Sequence, residues 1–312
     1  MAVFYWSKNM NIFFKNAIVY ELNNDTLLNK DAIEKAIKSH PFTSCDSFDT
    51  IKMGWVSPYN DNNQNDFIVD MQGHLLLRIK KETKILPAPV IKQTLLEKID
   101  KQEQALSRKL TKNEKASLKD EVMIDLMPRA FSKYNHYWLW IDTENKRIIV
   151  DCSSFKQAED ILAILRKELG ALALTPLSID KPLEQIMTTW VKEKLKFSPF
   201  ILGDQAELKD SLEGNGIINC KNQEITSDEM STHFDSGKWI TKLKISDTRG
   251  VSFIVNSDLT FKQIKFDSII LDENEDISSD EIDKRLEADF FIMSKTLSNA
   301  INGIKLVFEK II

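Results

Sequence analysis

Glycine is scarce in this chain, 9 of 312 residues against a usual ~7%, and neither GxGxxG nor GxxxxGK[ST] occurs. A phosphate cradle made of glycine backbone is therefore not expected. Cysteine is nearly absent. Cys45, Cys152 and Cys220 lie far apart, form no CxxC pair and make an odd total, which fits a reducing, cytosolic compartment better than a disulfide framework. The four histidines (His40, His74, His136, His233) are scattered, and no HExxH, GxSxG or Cys-His motif appears. No metal centre, cofactor or activated nucleophile is expected from them. Tyr134-Asn-His136-Tyr-Trp is the most suggestive setting, but a histidine opening a strand with no catalytic partner reads as a hydrogen-bonded surface residue. No apolar run approaches the ~20 residues that cross a bilayer. The aromatic start, MAVFYWSKNMNIFFKNAIVY, is broken by Lys8, Asn9, Asn11 and Lys15, so neither a signal peptide nor a membrane partner is expected. Arginine is rare too, 7 against 35 lysines, which disfavours base-specific bidentate contacts.

What is present is an ordinary globular composition, 42% hydrophobic and 29% charged, in a chain long enough for two domains or several small lobes at about 150 residues per domain. Net charge is −5, which at face value argues against a polyanionic partner. The average conceals segregation. Arg78 to Lys133 holds fourteen Lys or Arg against eight Asp or Glu, so the rest of the chain carries −11. At the other extreme, Asp267 to Asp289 holds ten acids against Lys284 and Arg285. Such separation lets one surface attract a polyanion while others repel it.

Residues 12–22 read as a strand and 30–39 as a helix capped by Asn29. A hairpin is expected over 67–80, turning at Gly73. After Pro87 and Pro89 the spacing of Val90, Ile91, Leu95, Leu96, Ile99 and Leu106 predicts a helix. Thr111-Lys-Asn-Glu114 matches a capping box, so a new helix or a kink is expected there, ending at Pro128. Further along come a hairpin over 137–142 and 147–152, an amphipathic helix over 154–169 closed by Gly170, a strand near 172–177 and a helix near 182–193. A three-stranded meander follows (238–245, 250–256, 259–266), then a C-terminal helix from Ser279 to Lys310. Strands arriving mostly as hairpins give an α+β class. The expected organisation is an N-terminal α+β lobe (1–86), a basic helical region (87–135) and a C-terminal α+β lobe (136–312).

The basic block has a defined geometry. At 100° per residue, Arg108, Lys112, Lys115 and Lys119 share one stripe, with Glu114, Glu121 and Asp125 on the other side. If Thr111 starts a fresh helix, Arg108 leaves the stripe and three lysines remain. A lysine stripe can follow a phosphate backbone without reading bases, although charged stripes also serve simply to solvate a helix. The acidic run Asp272-Glu273-Asn-Glu275-Asp276 could in principle hold a divalent cation, but lacks the glycine and spacing of an EF-hand and reads better as a solvated loop. A metal-dependent nuclease using that region is the alternative enzyme reading, and a protein-interaction scaffold is a third.

The runs FFKNAIVYEL, KMGWVSP, ETKILPAPVIKQ, SLKDEV, LMPRAFSK, WIDT, VDCSS and EADFFIM closely resemble those of the RdgC family of bacterial recombination-associated proteins. The similarity runs from about Met10 into the C-terminal helix. The resemblance implies a non-enzymatic, cytoplasmic, nucleoid-associated protein. It implies a ring-shaped homodimer around double-stranded DNA that binds without sequence preference and restrains RecA-dependent recombination. By the same resemblance Arg108, Lys109, Lys112, Lys115, Lys119 and Arg129 are candidates for the DNA-facing surface, and Phe131 in LMPRAF for an aromatic contact between subunits, the alternative being a core phenylalanine. Lys221 and Gln223, further candidates for DNA binding by the same resemblance, sit in a loop where the family carries paired lysines before the glutamine; here the second is Asn222, so one cation per subunit is missing. Met1 to Asn9 precede the usual family start.

Overall fold

The structure, a computed structural model, describes residues 11–23, 29–61, 63, 65–170, 172–210, 216–278 and 281–311. The aromatic start before Asn11 and the Ser279 boundary of the last helix lie outside the described residues. Alternation of side chains decides which face each strand buries. In the long strand His74–Ile85, Leu75, Leu77 and Ile79 enter one core and Leu76 the opposite one. This strand (β4) follows β1 (Ile18–Leu22), β2 (Ile51–Val56) and β3 (Val69–Met71). It joins them with β5 (Phe131–Asp142), β6 (Arg147–Val150) and β7 (Leu174–Pro176) in a seven-stranded sheet of order β2-β4-β5-β6-β1-β7, with β3 paired to β4. Each pairing is antiparallel. The sheet therefore draws strands from all three expected segments. Helices α1 (Lys30–Lys38) and α4 (Phe155–Leu169) cover one face; the Asn29 cap accepts from the Asp31 amide, and the Ser154 hydroxyl accepts from Gln157.

A second antiparallel sheet has the order β12-β11-β10-β8-β9. Its strands are β8 (Phe200–Asp210), β9 (Ile217–Lys221), β10 (Lys238–Asp247), β11 (Val251–Asn256) and β12 (Phe261–Phe266). The meander was legible in the sequence; β2, β8 and β9 were not. Helices α5 (Leu183–Lys192) and α6 (Asp228–Asp235) pack on its inner face. The last helix of the described residues, Ile282–Lys310, buries Phe290, Met293, Leu297, Ile301, Ile304 and Phe308 in the same core. That core lies between the two sheets, and α+β is the observed class.

The expected strand over 12–22 is shorter than its pattern. Ile12 and Phe14 are buried as isolated anchors in the inter-sheet core, and Lys15 to Ala17 pair instead with the second sheet, through Ile264 N to Lys15 O at 2.9 Å and the Ala17–Phe261 bridge. The segment thus stitches one sheet to the other before β1 begins. Asp151 lies at this seam and accepts the Asn16 amide at 2.9 Å. Burial pushes its carboxyl up to about 6. A folded-state pKa above the unfolded value means that the fold favours the protonated form. The cost of the charge is absent below about pH 4 and fully present above about pH 6, where it reaches about 3 kcal/mol. Asp151→Asn is therefore expected to be more stable than the parent at pH 7.5, with the gap closing by pH 4. Urea titrations across that range check it, and a pH-independent gap would contradict it.

Candidate nucleic-acid interface

Between β4 and β5 the chain leaves the sheet and returns. Pro87 and Pro89 start α2 (Ala88–Leu106), consistent with the tolerance of proline in a first helical turn. Ser107 then takes a left-handed φ of 51° and ends the helix. Thr111 caps α3 (Lys112–Leu126): its hydroxyl accepts from the Glu114 amide, and Glu114 Oε2 accepts from the Thr111 amide at 2.7 Å. A 3-10 turn at Met127–Arg129, held by Pro128, leads into β5. The two helices form a hairpin arm at the end of the β4–β5 ribbon, packed chiefly on each other. Only Leu118 and Val122 of α3, and Glu103 of α2, are buried within it.

The capping box is a new helix, and that corrects the four-membered stripe. Arg108 lies in the connection, where its guanidinium grips Glu114 through two hydrogen bonds of 2.6 and 3.0 Å. Arg108 and the cap amide together hold the Glu114 carboxyl down to about 2. Arg108 thus braces the start of α3. Lys109 and Lys115 bind the Glu103 carboxylate at 2.6 and 3.3 Å, which brings that acid to about 2 as well. The helical phase explains the division: Lys115 sits beside the buried Val122, whereas Lys112 and Lys119 stand about 20° apart on the open side. Lys112, Lys119 and Arg129 are exposed and are free of ion pairs among the described residues.

Cation excess is also distributed differently from the sequence impression. The two helices of the arm carry six Lys against seven Asp or Glu, and their connection adds Arg108 and Lys109. Most of the excess in the Arg78–Lys133 block therefore resides on the ribbon and its flanks. There Arg78 is buried, and it and Lys80 both bind Asp61, at 3.1 and 2.7 Å.

Phe131 is the first residue of β5 and is 78% exposed. The reading of it as a core phenylalanine is overturned: α1 and α4 cover this face further along, and among the described residues nothing covers its end. Ile85 stands directly across the ladder from Phe131, and Ile51, across from Thr83, lies on the same face. Both are exposed, so the ribbon ends in an open apolar patch at the root of the arm.

The second candidate loop lies away from the arm. Lys221 ends β9 and is exposed. Asn222 has φ 54°, a backbone region that asparagine tolerates better than lysine. Gln223 donates its side-chain amide to Glu229 at 2.6 Å and its backbone amide to Asp204 at 3.2 Å, so it locks the turn in place. The sequence reading overlooked a second cationic group on the adjoining strands, Lys242, Lys244, Lys262 and Lys265. Its signal was the alternation of lysine with apolar residues in KLKI and FKQIKF.

The acidic stretch does not assemble a metal centre: among the described residues no group of three or more His, Cys, Asp or Glu is placed to hold an ion. Asn274 instead donates to Asp289 at 2.9 Å, tying the loop to the last helix. No helix of the described residues is long and apolar enough to cross a membrane.

Comparison with known proteins agrees with the sequence resemblance. A family model described as "Putative exonuclease, RdgC" matches residues 12–311. Relatives named "Recombination-associated protein RdgC" from Yersinia pestis (strain Pestoides F) and Yersinia enterocolitica serotype O:8 are each 43% identical over 293 residues, covering 94% of this chain and 96% of the relative. The chain belongs to the RdgC family. Asn222 suits its left-handed turn, and Phe131 stands exposed in the protomer.

Proposed function

We propose that this RdgC-family protein binds double-stranded DNA without sequence preference, closes around it as a ring-shaped homodimer and restrains RecA-dependent recombination at the nucleoid. The observation that carries the reading is the arm itself: Lys112 and Lys119, free of ion pairs among the described residues, stand on its open side, and an uncovered apolar patch lies at its root. Lysines supply point charges for phosphates without reading bases, and an apolar patch that leaves Phe131 bare calls for a second protein surface. The basic helical region 87–135 is in this reading a functional unit, an arm that touches DNA with one side and the partner subunit with its base. Overall negative charge is no obstacle, because a polyanion responds to the local field.

The arm's share of binding follows from counterion release, with a slope of log K on log salt near −0.9 per neutralised phosphate. Lys112→Gln with Lys119→Gln is expected to make the slope shallower by about 1.8, whereas Arg108→Gln changes it little because that charge already faces Glu114. Fluorescence anisotropy with a short duplex across a salt series measures both. An unchanged slope in the double variant places the DNA elsewhere.

The enzymatic alternative takes its support from the family model's description. Incubating the protein with plasmid and Mg²⁺ separates the readings: a clamp retards the DNA and leaves it uncut, while a nuclease degrades it.

A further inference from the structure

We propose that the open face of the five-stranded sheet is a second seat for the phosphate backbone of duplex DNA, separate from the arm and centred on Lys221, Lys242 and Lys262. The inference rests on the DNA-binding reading and adds to it a surface that the candidate residues of the arm do not include.

The register of the sheet collects these side chains. Ile240, Leu243 and Ile245 of β10 point into the core with Phe253 and Val255 of β11 and Phe261 of β12, so the alternate positions point outward. Lys244 lies across from Ile254, which lies across from Lys262; Lys242 lies across from Glu207, and Lys221 from Gln205; Lys265 follows at Ser252. Helices α5, α6 and the last helix contact the strands from the core side, leaving the outer face without a helical cover among the described residues.

Charge on this face departs from the rest of the molecule. Six lysines (Lys209, Lys221, Lys242, Lys244, Lys262, Lys265) stand with two acids, Asp204 and Glu207, in a chain where acids outnumber cations 47 to 42. Glu207 binds Lys242 at 2.7 Å and Lys209 at 3.4 Å, and Asp204 binds Lys244 at 2.7 Å. Two carboxylates cannot neutralise six cations, and Lys221 and Lys265 are free of ion pairs among the described residues. Lys262 donates to the Ser153 carbonyl at 2.7 Å, which holds its amine in place without cancelling its charge.

The shape agrees with the charge. A shallow hollow of about 360 Å³ lies on this face, bordered by Lys221, Lys242 and Lys262, with the amides of Gln205, Asn219 and Asn256 between them. Amides and lysines are the groups that meet phosphate and sugar oxygens. No aromatic side chain lines the hollow, and Trp239, across from Lys209 on the same face, is a single ring, so the run of aromatic side chains on which successive bases of a single strand stack is missing among the described residues. Strands about 4.8 Å apart make the five-stranded face roughly 20 Å wide, broad enough for several phosphates of a duplex that carries a charge about every 1.7 Å. Duplex DNA is thus the occupant that the surface fits.

The test is a triple variant, Lys221→Gln, Lys242→Gln and Lys262→Gln, in the full chain. Its salt slope with a short duplex is expected to be shallower by about 1.8, the share of Lys221 and Lys262, because Lys242 already faces Glu207; that is equivalent to roughly 30-fold weaker binding at 0.15 M salt, and a single strand of equal length is expected to bind far less tightly than the duplex. Acetylation of the parent protein gives a readout independent of variant folding: saturating duplex is expected to protect Lys221, Lys242, Lys262 and Lys265 from modification. If the parent binds duplex while the triple variant keeps its slope and these lysines stay unprotected, the proposed face is wrong and the DNA reading stands on the arm. If the parent binds no duplex at any salt, the DNA reading falls and takes this proposal with it. Retention on polyglutamate but not on duplex would assign the face to an acidic protein and likewise overturn the proposal.

Discussion

Arg147→Ala is expected to lower folding stability by about 3–5 kcal/mol, the range for removing one partner of a buried ion pair. Arg147 and Asp142 are both buried, and the guanidinium meets Asp142 Oδ2 through Nε at 3.0 Å and Nη2 at 2.9 Å. Its other hydrogen bonds reach the last helix: Nη2 donates to the Ser298 hydroxyl at 2.6 Å and Nη1 to Asn302 at 2.7 Å. Ser298 in turn donates to Asp142 at 3.1 Å, and Asn302 to Asn145 at 2.8 Å. The network bolts that helix to the β5–β6 turn, so the variant leaves a buried carboxylate without its counter-charge and the helix without its polar anchor. Lys284→Ala is the control, because its pair with Glu281 is solvent-exposed and such pairs contribute about 0–1 kcal/mol. Urea unfolding at pH 7 reads both; a loss below about 1 kcal/mol for Arg147→Ala would show that the network is replaceable by water.

That network shows where the sequence stops being informative. WIDT and RIIVDC announce a hairpin, and the turn is where they place it. Nothing in either run says that Asp142 and Arg147 flank a helix more than 150 residues away. Local signals carried the elements whose cause is local: the Asn29 cap, the helix over 154–169, the Thr111 capping box, the turn at Gly73 and the meander. The misses are non-local. Residues 12–17 have strand chemistry, but tertiary pairing with β12 claims part of them. Strands β8 and β9 alternate weakly because one of their faces carries Lys, Glu and Gln. At the candidate site the stripe was read with four members, and the capping box left open the fresh helix that takes Arg108 out of it. Which lysines are free was not, because Glu103 and Glu114 reach their partners across a helix connection.

An acidic chain and the proposed DNA partner are compatible. Many of the acids in the basic block are engaged: Glu103, Glu114 and Asp125 each hold a lysine or arginine. Local fields are then set by the cations left over, Lys112 and Lys119 on the arm and Lys221 and Lys265 on the open sheet. The acids of the C-terminal region sit on a different element, near the last helix. Segregation of sign, more than net charge, is what the proposed function needs.

Phe131→Ala is expected to leave the protomer folded and to dismantle the proposed ring. Because the side chain is 78% exposed, truncation opens no cavity, and the change in protomer stability is expected to stay within about 0.5 kcal/mol. In a two-fold interface each residue acts twice, and an aromatic anchor removed from a desolvated contact costs about 2 kcal/mol. Two such losses raise the dimer dissociation constant about a thousandfold. Sedimentation of the free protein should therefore shift from dimer to monomer at micromolar concentration. A closed ring is held on circular DNA by topology as well as by charge, so retention on closed circular plasmid under a high-salt challenge should fall sharply. Binding to a short linear duplex at low salt should fall much less, because Lys112, Lys119 and the sheet lysines are untouched. A Phe131→Ala protein that remains dimeric and keeps its grip on circular DNA would show that the ribbon's apolar end is not the contact that closes the ring.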